Sequence, residues 1–454
     1  MAYVSRNSNK KSFESANKAN HTHVINDDEV KTYLSNCEFP KDMDEIDLAK
    51  DGILVDYEDP VDNPIKIIIA VDGGYTEVEP KKTFPTSKVA FFQFGAFWLN
   101  LEDWNALDNN PFIAPEDMAS FNDLERIKLV LPIKHVNYKA EEGFVNSFRR
   151  TLYEFFMKVR DHDGSRYMDT LKWLLYEEFN SVKSKDRYSI TSPDPKNDGS
   201  ITLFKSEMKT DFTFDFDGFT VYLTDVFRFH ESIDEELGAG GILGVLSTSV
   251  EQIIIAHFIK YIVKQKPDLL KSVLFIKDGG LAFFDRTARL HKSMRNLTNY
   301  LFSKYNIFLV GLEKSGPFTD HADEITRVID DKSKMAHSKI LLLSDKYIYK
   351  YITPGGENQK YGRTSYYGAK VIYKSKNGGV YVASFPVKDG DVLINPQKAD
   401  FRNIDVILHN LDKLKCDMYE NAIVPVTLAN RLVSLANHPS QQLLEKFSVK
   451  TIKR

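Results

Sequence analysis

The chain has 454 residues, with 60 Lys and Arg against 64 Asp and Glu, a formal net charge of −4. That balance excludes a polycation that holds nucleic acid by bulk charge; any such contact needs a local basic patch or a metal. Only two cysteines occur, Cys37 and Cys416, which excludes a disulfide framework and a cysteine-rich zinc site and points to a reducing, cytoplasmic setting. Hydrophobic content of 42% and charged content of 27% are those of an ordinary soluble globule. No uninterrupted apolar run of spanning length occurs and the N-terminus is polar, so neither a transmembrane helix nor a signal peptide is expected.

Residues 1–26 are rich in Ser, Asn and Lys and read as a disordered tail. Residues 27–60 form an acidic segment with a short helix near Asp28–Leu34. The first clear strand is Ile65–Val71, an apolar β-branched run that ends on Asp72-Gly73-Gly74. A second apolar and aromatic run, Val89–Trp98, follows and predicts an antiparallel partner for the first.

Phe144–Phe179 is patterned as helix. Ser184–Ser200, with its Lys, Asp, Ser and Pro, reads as a loop, and Phe212–Phe219 alternates as a strand running into a turn. Gly238-Ala239-Gly240-Gly241 breaks the chain before a helix from about Val250 to Val263, for which Ser249 and Gln252 make a capping pair. Strand Val273–Lys277 then ends on Asp278-Gly279-Gly280, a second copy of the earlier pattern, with a short strand Leu281–Phe284 across the turn. A helix over Arg286–Tyr305 carries Leu290, Met294, Leu297 and Leu301 at helical spacing. Strands follow at Asn306–Leu312, Tyr366–Tyr373 and Val380–Phe385, and helices at Ile404–Leu414 and Val426–Ala436. This succession predicts an α/β fold with a mixed central sheet flanked by helices and a large insertion at about 145–245 within residues 61–454.

Two buried strands that each deliver a carboxylate to a glycine pair could aim both carboxylates at one point, as sites that hold Mg²⁺ or Mn²⁺ against phosphate require. Asp-Gly is also a common turn dipeptide. Glu251, at the start of the predicted helix before the second strand, is the nearest further carboxylate with a structural address; the helix dipole alone would also account for an acid there. Lys314, with Ser315 at the end of the next strand, could neutralise a phosphate or orient a water; a surface lysine is the other reading.

Arg286, Arg289, Lys292 and Arg295 form a basic stripe that winds partly around its helix, so two or three could face one groove. Lys346, Lys350, Lys360, Arg363 and Lys370, interleaved with tyrosines, suit phosphate tracking and base stacking. There is no P-loop and no paired-histidine metal spacing. Asp161-His162-Asp163 is the one histidine with a carboxylate on each side, and it runs into a polar turn.

In their order, strand-Asp72-Gly73-Gly74, the Glu251 helix, strand-Asp278-Gly279-Gly280-Leu281, strand-Lys314-Ser315 and Pro425–Arg431 resemble the motifs of NurA-type nucleases. The resemblance spans about 65–440 and is carried by short motifs. It implies an RNase H-like core, cleavage of DNA with Mn²⁺ or Mg²⁺, a homodimer, and a HerA-type hexameric ATPase as partner, in end processing or anti-phage defence.

Carried over position by position, Asp72, Glu251 and Asp278 fall where the family has metal-binding carboxylates, with Lys314 beside them. Asn430 falls where the pattern has a histidine ligand, and an amide oxygen binds a hard cation less strongly than imidazole binds Mn²⁺. Arg286, Arg289, Arg363 and Lys370 are the candidate nucleic-acid contacts. Two other classes stay open. One is an actin-like or sugar-kinase-type ATPase, whose phosphate loops would want Thr or Ser where this chain has Leu281-Ala282-Phe283. The other is a catalytically weakened scaffold.

Overall fold

The computed structural model describes residues 24–41, 46–81, 87–106, 126–139, 143–160, 164–327, 335–356, 359–388, 392–416, 422–435 and 438–452. The tail, all but its last three residues, and the Asp161-His162-Asp163 turn lie outside them.

Nine strands make one mixed sheet. In chain order they are β1 (Ile53–Asp56), β2 (Ile67–Val78), β3 (Lys88–Asn100), β4 (Ile127–Lys134), β5 (Val273–Asp278), β6 (Phe308–Glu313), β7 (Lys339–Leu342), β8 (Gly368–Lys374) and β9 (Val380–Pro386). Across the sheet they run β1-β7-β8-β9-β6-β5-β2-β3-β4. β2, β3 and β4 form an antiparallel meander, while β5 lies parallel to β2 and β6 parallel to β5. The β8–β9 hairpin then adds antiparallel to β6, and β7 and β1 complete the far edge.

Strand alternation sorts the apolar side chains onto two faces. Ile69 and Val71 of β2 and Val273 and Phe275 of β5 face one cluster, together with α1 (Phe144–Met157), α2 (Tyr167–Leu175), α3 (Leu243–Gln265) and α4 (His291–Tyr305). Ile68, Ala70, Leu274 and Ile276 face the other, covered by α7 (Ile404–Lys413) and α8 (Val424–Val433). A third cluster packs α5 (Pro317–Arg327) and α6 (Asp345–Tyr351) against β7, β8 and β9. The segment between β4 and α3 shares the first cluster with the sheet, through residues such as Phe156, Trp173 and Phe227. By length and composition α3, with the turn before it, could cross a membrane, yet 78% of that stretch is buried within the protein, where its apolar side chains form core.

Several elements differ from the expectation. β2 does not end at Val71 but runs on through Asp72-Gly73-Gly74 to Val78, paired with β3 throughout. The glycines are there for close approach. A Cβ on Gly73 would lie 2.7 Å from Ser247 Oγ and 2.9 Å from Glu251 Oε1, and one on Gly74 would lie 2.5 Å from the Val433 carbonyl oxygen. The second copy does turn: Gly279 sits at φ +94°, its N–H donating to the Leu312 carbonyl at 2.6 Å.

α3 starts at Leu243, well before the proposed cap, so Ser249 lies inside the helix and donates its hydroxyl back to the Val245 carbonyl at 2.7 Å. The expected loop Ser184–Ser200 contains half of a hairpin, Arg187–Thr191 with Ser200–Phe204. Leu281–Phe284 makes only a single bridge, Ala282 to Tyr366, and Arg286–Leu290 is a 3₁₀ turn that precedes α4.

Candidate active site

Register brings the two repeated aspartates together. Val71 of β2 pairs in parallel with Lys277 of β5, so Asp72 and Asp278, the next residue on each strand, are neighbours on one face. That is the face covered by α8: Gly95, opposite Asp72 on β3, would meet Val433 Cγ1 at 2.9 Å if it carried a Cβ. Glu251 comes from α3 on the opposite face. Because Gly73 has no side chain, the Glu251 carboxylate can close up against the β2 backbone beside Asp72. Glu251 lies more than two turns inside α3 and is 3% exposed, so the helix N-terminus does not account for it.

Each carboxylate is held differently. Asp72 is 6% exposed; its Oδ1 accepts from the Gly73 N–H at 2.8 Å, and its buried Oδ2 has no hydrogen-bond partner. Burial, then the negative charges of Asp278 and Glu251, push its carboxyl up to about 7 against the pull of Lys314. The Glu251 carboxyl is also raised, first by burial, and is opposed by Lys277.

Two lysines supply positive charge to the group. Lys314, just past the end of β6, donates to Asp278 Oδ2 at 2.7 Å. Lys277 is 2% exposed, stands 3.5 Å from Glu251 Oε2 and donates to the Asp278 carbonyl at 2.5 Å. Ser247, one turn before Glu251 on α3, donates to its Oε1 at 3.3 Å.

Asp72, Glu251, Asp278 and Lys314 are therefore brought together. Among the described residues no three His, Cys, Asp or Glu side chains form a ready-made metal cage. The reason is visible in the alternation: two carboxylates sit on one face of the sheet and the third on the other. The donor set still fits a hard divalent cation, which takes oxygen ligands. An orphaned buried carboxylate oxygen on Asp72, raised by two neighbouring charges, is a group that a cation would relieve. Asp72, Glu251 and Asp278 would hold it.

The remaining candidates lie apart from this cluster. Asn430 is exposed on α8, the helix whose end at Val433 packs on Gly74. Arg286 stands 3.4 Å from Glu231 Oε2, and Arg363 is exposed on the turn before β8. Lys370 is not offered to solvent: it is 7% exposed, bonded to Glu313 Oε2 at 3.0 Å and placed over the Phe318 ring at 3.7 Å. The tyrosines around it are largely core. Tyr347, Tyr351, Tyr366 and Tyr367 are all buried, so stacking on bases is closed to them. Leu281, Ala282 and Phe283 after the second glycine pair are buried as well, and no hydroxyl follows that turn to meet a nucleotide phosphate.

Lys277 and Ser247 were not singled out from the sequence. The signal for Lys277 was present: a lysine in step with Phe275 on a strand buried on both faces needs an acidic partner.

The chain is similar to NurA nucleases. The crystal structure of the NurA nuclease from Sulfolobus solfataricus aligns with 96% of this chain and 95% of its own length, at 11% identity and a TM-score of 0.32. A crystal structure of NurA with manganese aligns over 95% and 96%, at 9% identity and a TM-score of 0.28. No family model and no curated protein matches the sequence.

Proposed function

We propose that this protein is a metal-dependent nuclease that hydrolyses phosphodiester bonds of DNA on an RNase H-like core. One observation carries the reading: Asp72 and Asp278 are register neighbours on parallel strands, with Glu251 packed against the β2 backbone at Gly73 from the other face. The strand order β4-β3-β2-β5-β6, a meander followed by two parallel strands, supports the core assignment.

A bound Mn²⁺ or Mg²⁺ would polarise a phosphoryl oxygen and lower the pKa of a water. The chain's own groups do the rest. Asp72 and Asp278 would hold the cation from one face of the sheet and Glu251 from the other. Lys314, half exposed and bonded to Asp278, is placed to neutralise charge on a phosphate oxygen as it develops. Lys277 keeps the buried Glu251 compensated and has no access to substrate.

The same reading makes the protein a cytoplasmic homodimer that works beside a HerA-type hexameric ATPase; the motive is the ordered motif resemblance. Purified protein with Mn²⁺ should cut labelled DNA. Asp72→Ala and Asp278→Ala should each lower the rate about 10³-fold or more with circular dichroism unchanged. Wild-type rates in either variant would remove the carboxylate assignment.

A further inference from the structure

A second concave site lies away from the carboxylates. The hairpin Arg187–Thr191 and Ser200–Phe204 meets the start of α4 across a cleft of about 330 Å³, lined by Lys185, Tyr188, Ser189, Arg289, Lys292 and Ser293. Its polar lining is cationic or hydroxylic, with no carboxylate in the wall. Lys185 is tied from behind to the buried carboxylate of Glu177. Arg289 and Lys292 are exposed and have no carboxylate partner among the described residues. In a chain of net charge −4, two unopposed cations in a concavity are a specific arrangement rather than an overflow of positive charge.

The cleft also contains an unsatisfied group. The Tyr188 hydroxyl is buried and has no hydrogen-bond partner, which is costly unless something outside the chain supplies an acceptor. Burial pushes that phenol up to about 12, with Arg289 the first charge to oppose the shift, and both side chains line the cleft. A ligand that satisfies both must accept hydrogen bonds and carry negative charge. A phosphate group does so, and Arg presents the forked donor geometry that matches it.

Buried contacts connect the turn that carries Arg289 to the helix that carries Glu251. The 3₁₀ turn Asp285–Leu290, which carries Arg289, rests on α3 where Thr287 Oγ1 lies 3.4 Å from Ser249 Oγ. Gln252, next to Glu251, donates to the Ala282 carbonyl at 2.8 Å.

We propose that this cleft is a phosphate-binding subsite that grips the backbone of the nucleic acid strand whose scissile bond lies at Asp72 and Asp278. The proposal rests on the nuclease reading and adds to it a place where substrate is held outside the reacting centre. Phosphate contacts of this kind fix register and orientation and carry no sequence preference.

The test is binding without cleavage. Fluorescence anisotropy with a labelled single-stranded oligonucleotide, in chelator, is measured across a salt series for wild type, Arg289→Ala/Lys292→Ala, Tyr188→Phe and an Arg187→Ala control on the same hairpin. The double variant should bind about tenfold or more weakly, and the slope of log K against log salt should shrink by about 1.4, the value for two single-strand phosphate contacts. Tyr188→Phe should weaken binding several-fold with the melting temperature of the free protein unchanged or raised. Arg187→Ala should do little.

Equal affinity and slope in wild type and double variant would overturn the subsite, as would an equal loss in the control. Inorganic phosphate that stabilises wild type, with no binding of oligonucleotide, would assign the cleft to free phosphate and also overturn it. Wild type that binds through Arg289 and Lys292 but cuts nothing with Mn²⁺ would sink the nuclease reading and leave the subsite standing.

Discussion

Glu251 and Lys277 form a buried ion pair, and a pair of this kind is strongly context-dependent in stability but severe to break. Lys277→Met should destabilise by about 3–5 kcal/mol in chemical denaturation, because it strands a buried carboxylate. Adding Glu251→Gln should recover most of that loss, since the uncompensated charge is then gone. A double variant no more stable than the single one would show that the two side chains are energetically independent. Glu251→Gln alone should leave the fold in place and reduce cleavage about 10²-fold or more. At this scale the sequence showed its acids better than its bases. Asp72 and Asp278 stand out because a carboxylate closes an apolar strand twice. Lys277 stood in view beside Asp278, but a strand pattern does not say which helix will bring an acid to it.

Element by element, strands were legible where the apolar run was long, and their ends were not. The glycine pair after Asp72 looks like punctuation in the sequence, yet β2 continues for six residues past the aspartate to Val78, because β3 pairs with it along its whole length. Pairing at that range is a tertiary fact. So is the start of α3: Leu243–Ser249 is poor in helix signals and is helical because it packs against the sheet and the first apolar cluster.

The hairpin at Arg187 was hidden for the opposite reason, being short and polar on its outer side. The close approach at Gly73 gives a direct prediction. Gly73→Ala would place a methyl against Ser247, Glu251 and Phe94, with the backbone of β2 held there by its pairing with β3. It should lower stability by about 1–3 kcal/mol, as overpacking does, and depress cleavage as well, because Glu251 is one of the atoms displaced. Cleavage at wild-type rate with stability lowered would separate Gly73 from the site.

For the molecule as a whole, the carboxylate cluster makes stability depend on pH and on divalent cation together. Asp72 titrates near neutrality in the folded chain, raised by burial and by Asp278 and Glu251, and near its ordinary ~3.9 when unfolded. Between those values the folded state binds the extra proton, so stability falls as pH rises from about 4 to about 7 and the loss is complete above. The metal-free protein should therefore melt at a lower temperature at pH 8 than at pH 5.

Mn²⁺ binds the ionised carboxylates, so its stabilisation should grow over the same window. Asp72→Asn keeps the shape and removes the charge. It should melt higher than wild type at pH 8 without metal, lose most of the pH dependence between 5 and 8, and gain much less from Mn²⁺. The measurement is thermal melting at three pH values, with chelator and with Mn²⁺, for both proteins. Parallel curves for wild type and Asp72→Asn would show that Asp72 is not the group that couples protons to the fold. A metal-induced shift that is the same in both would remove it from the cation site, leaving Glu251 and Asp278 on opposite faces of the sheet with nothing between them to share.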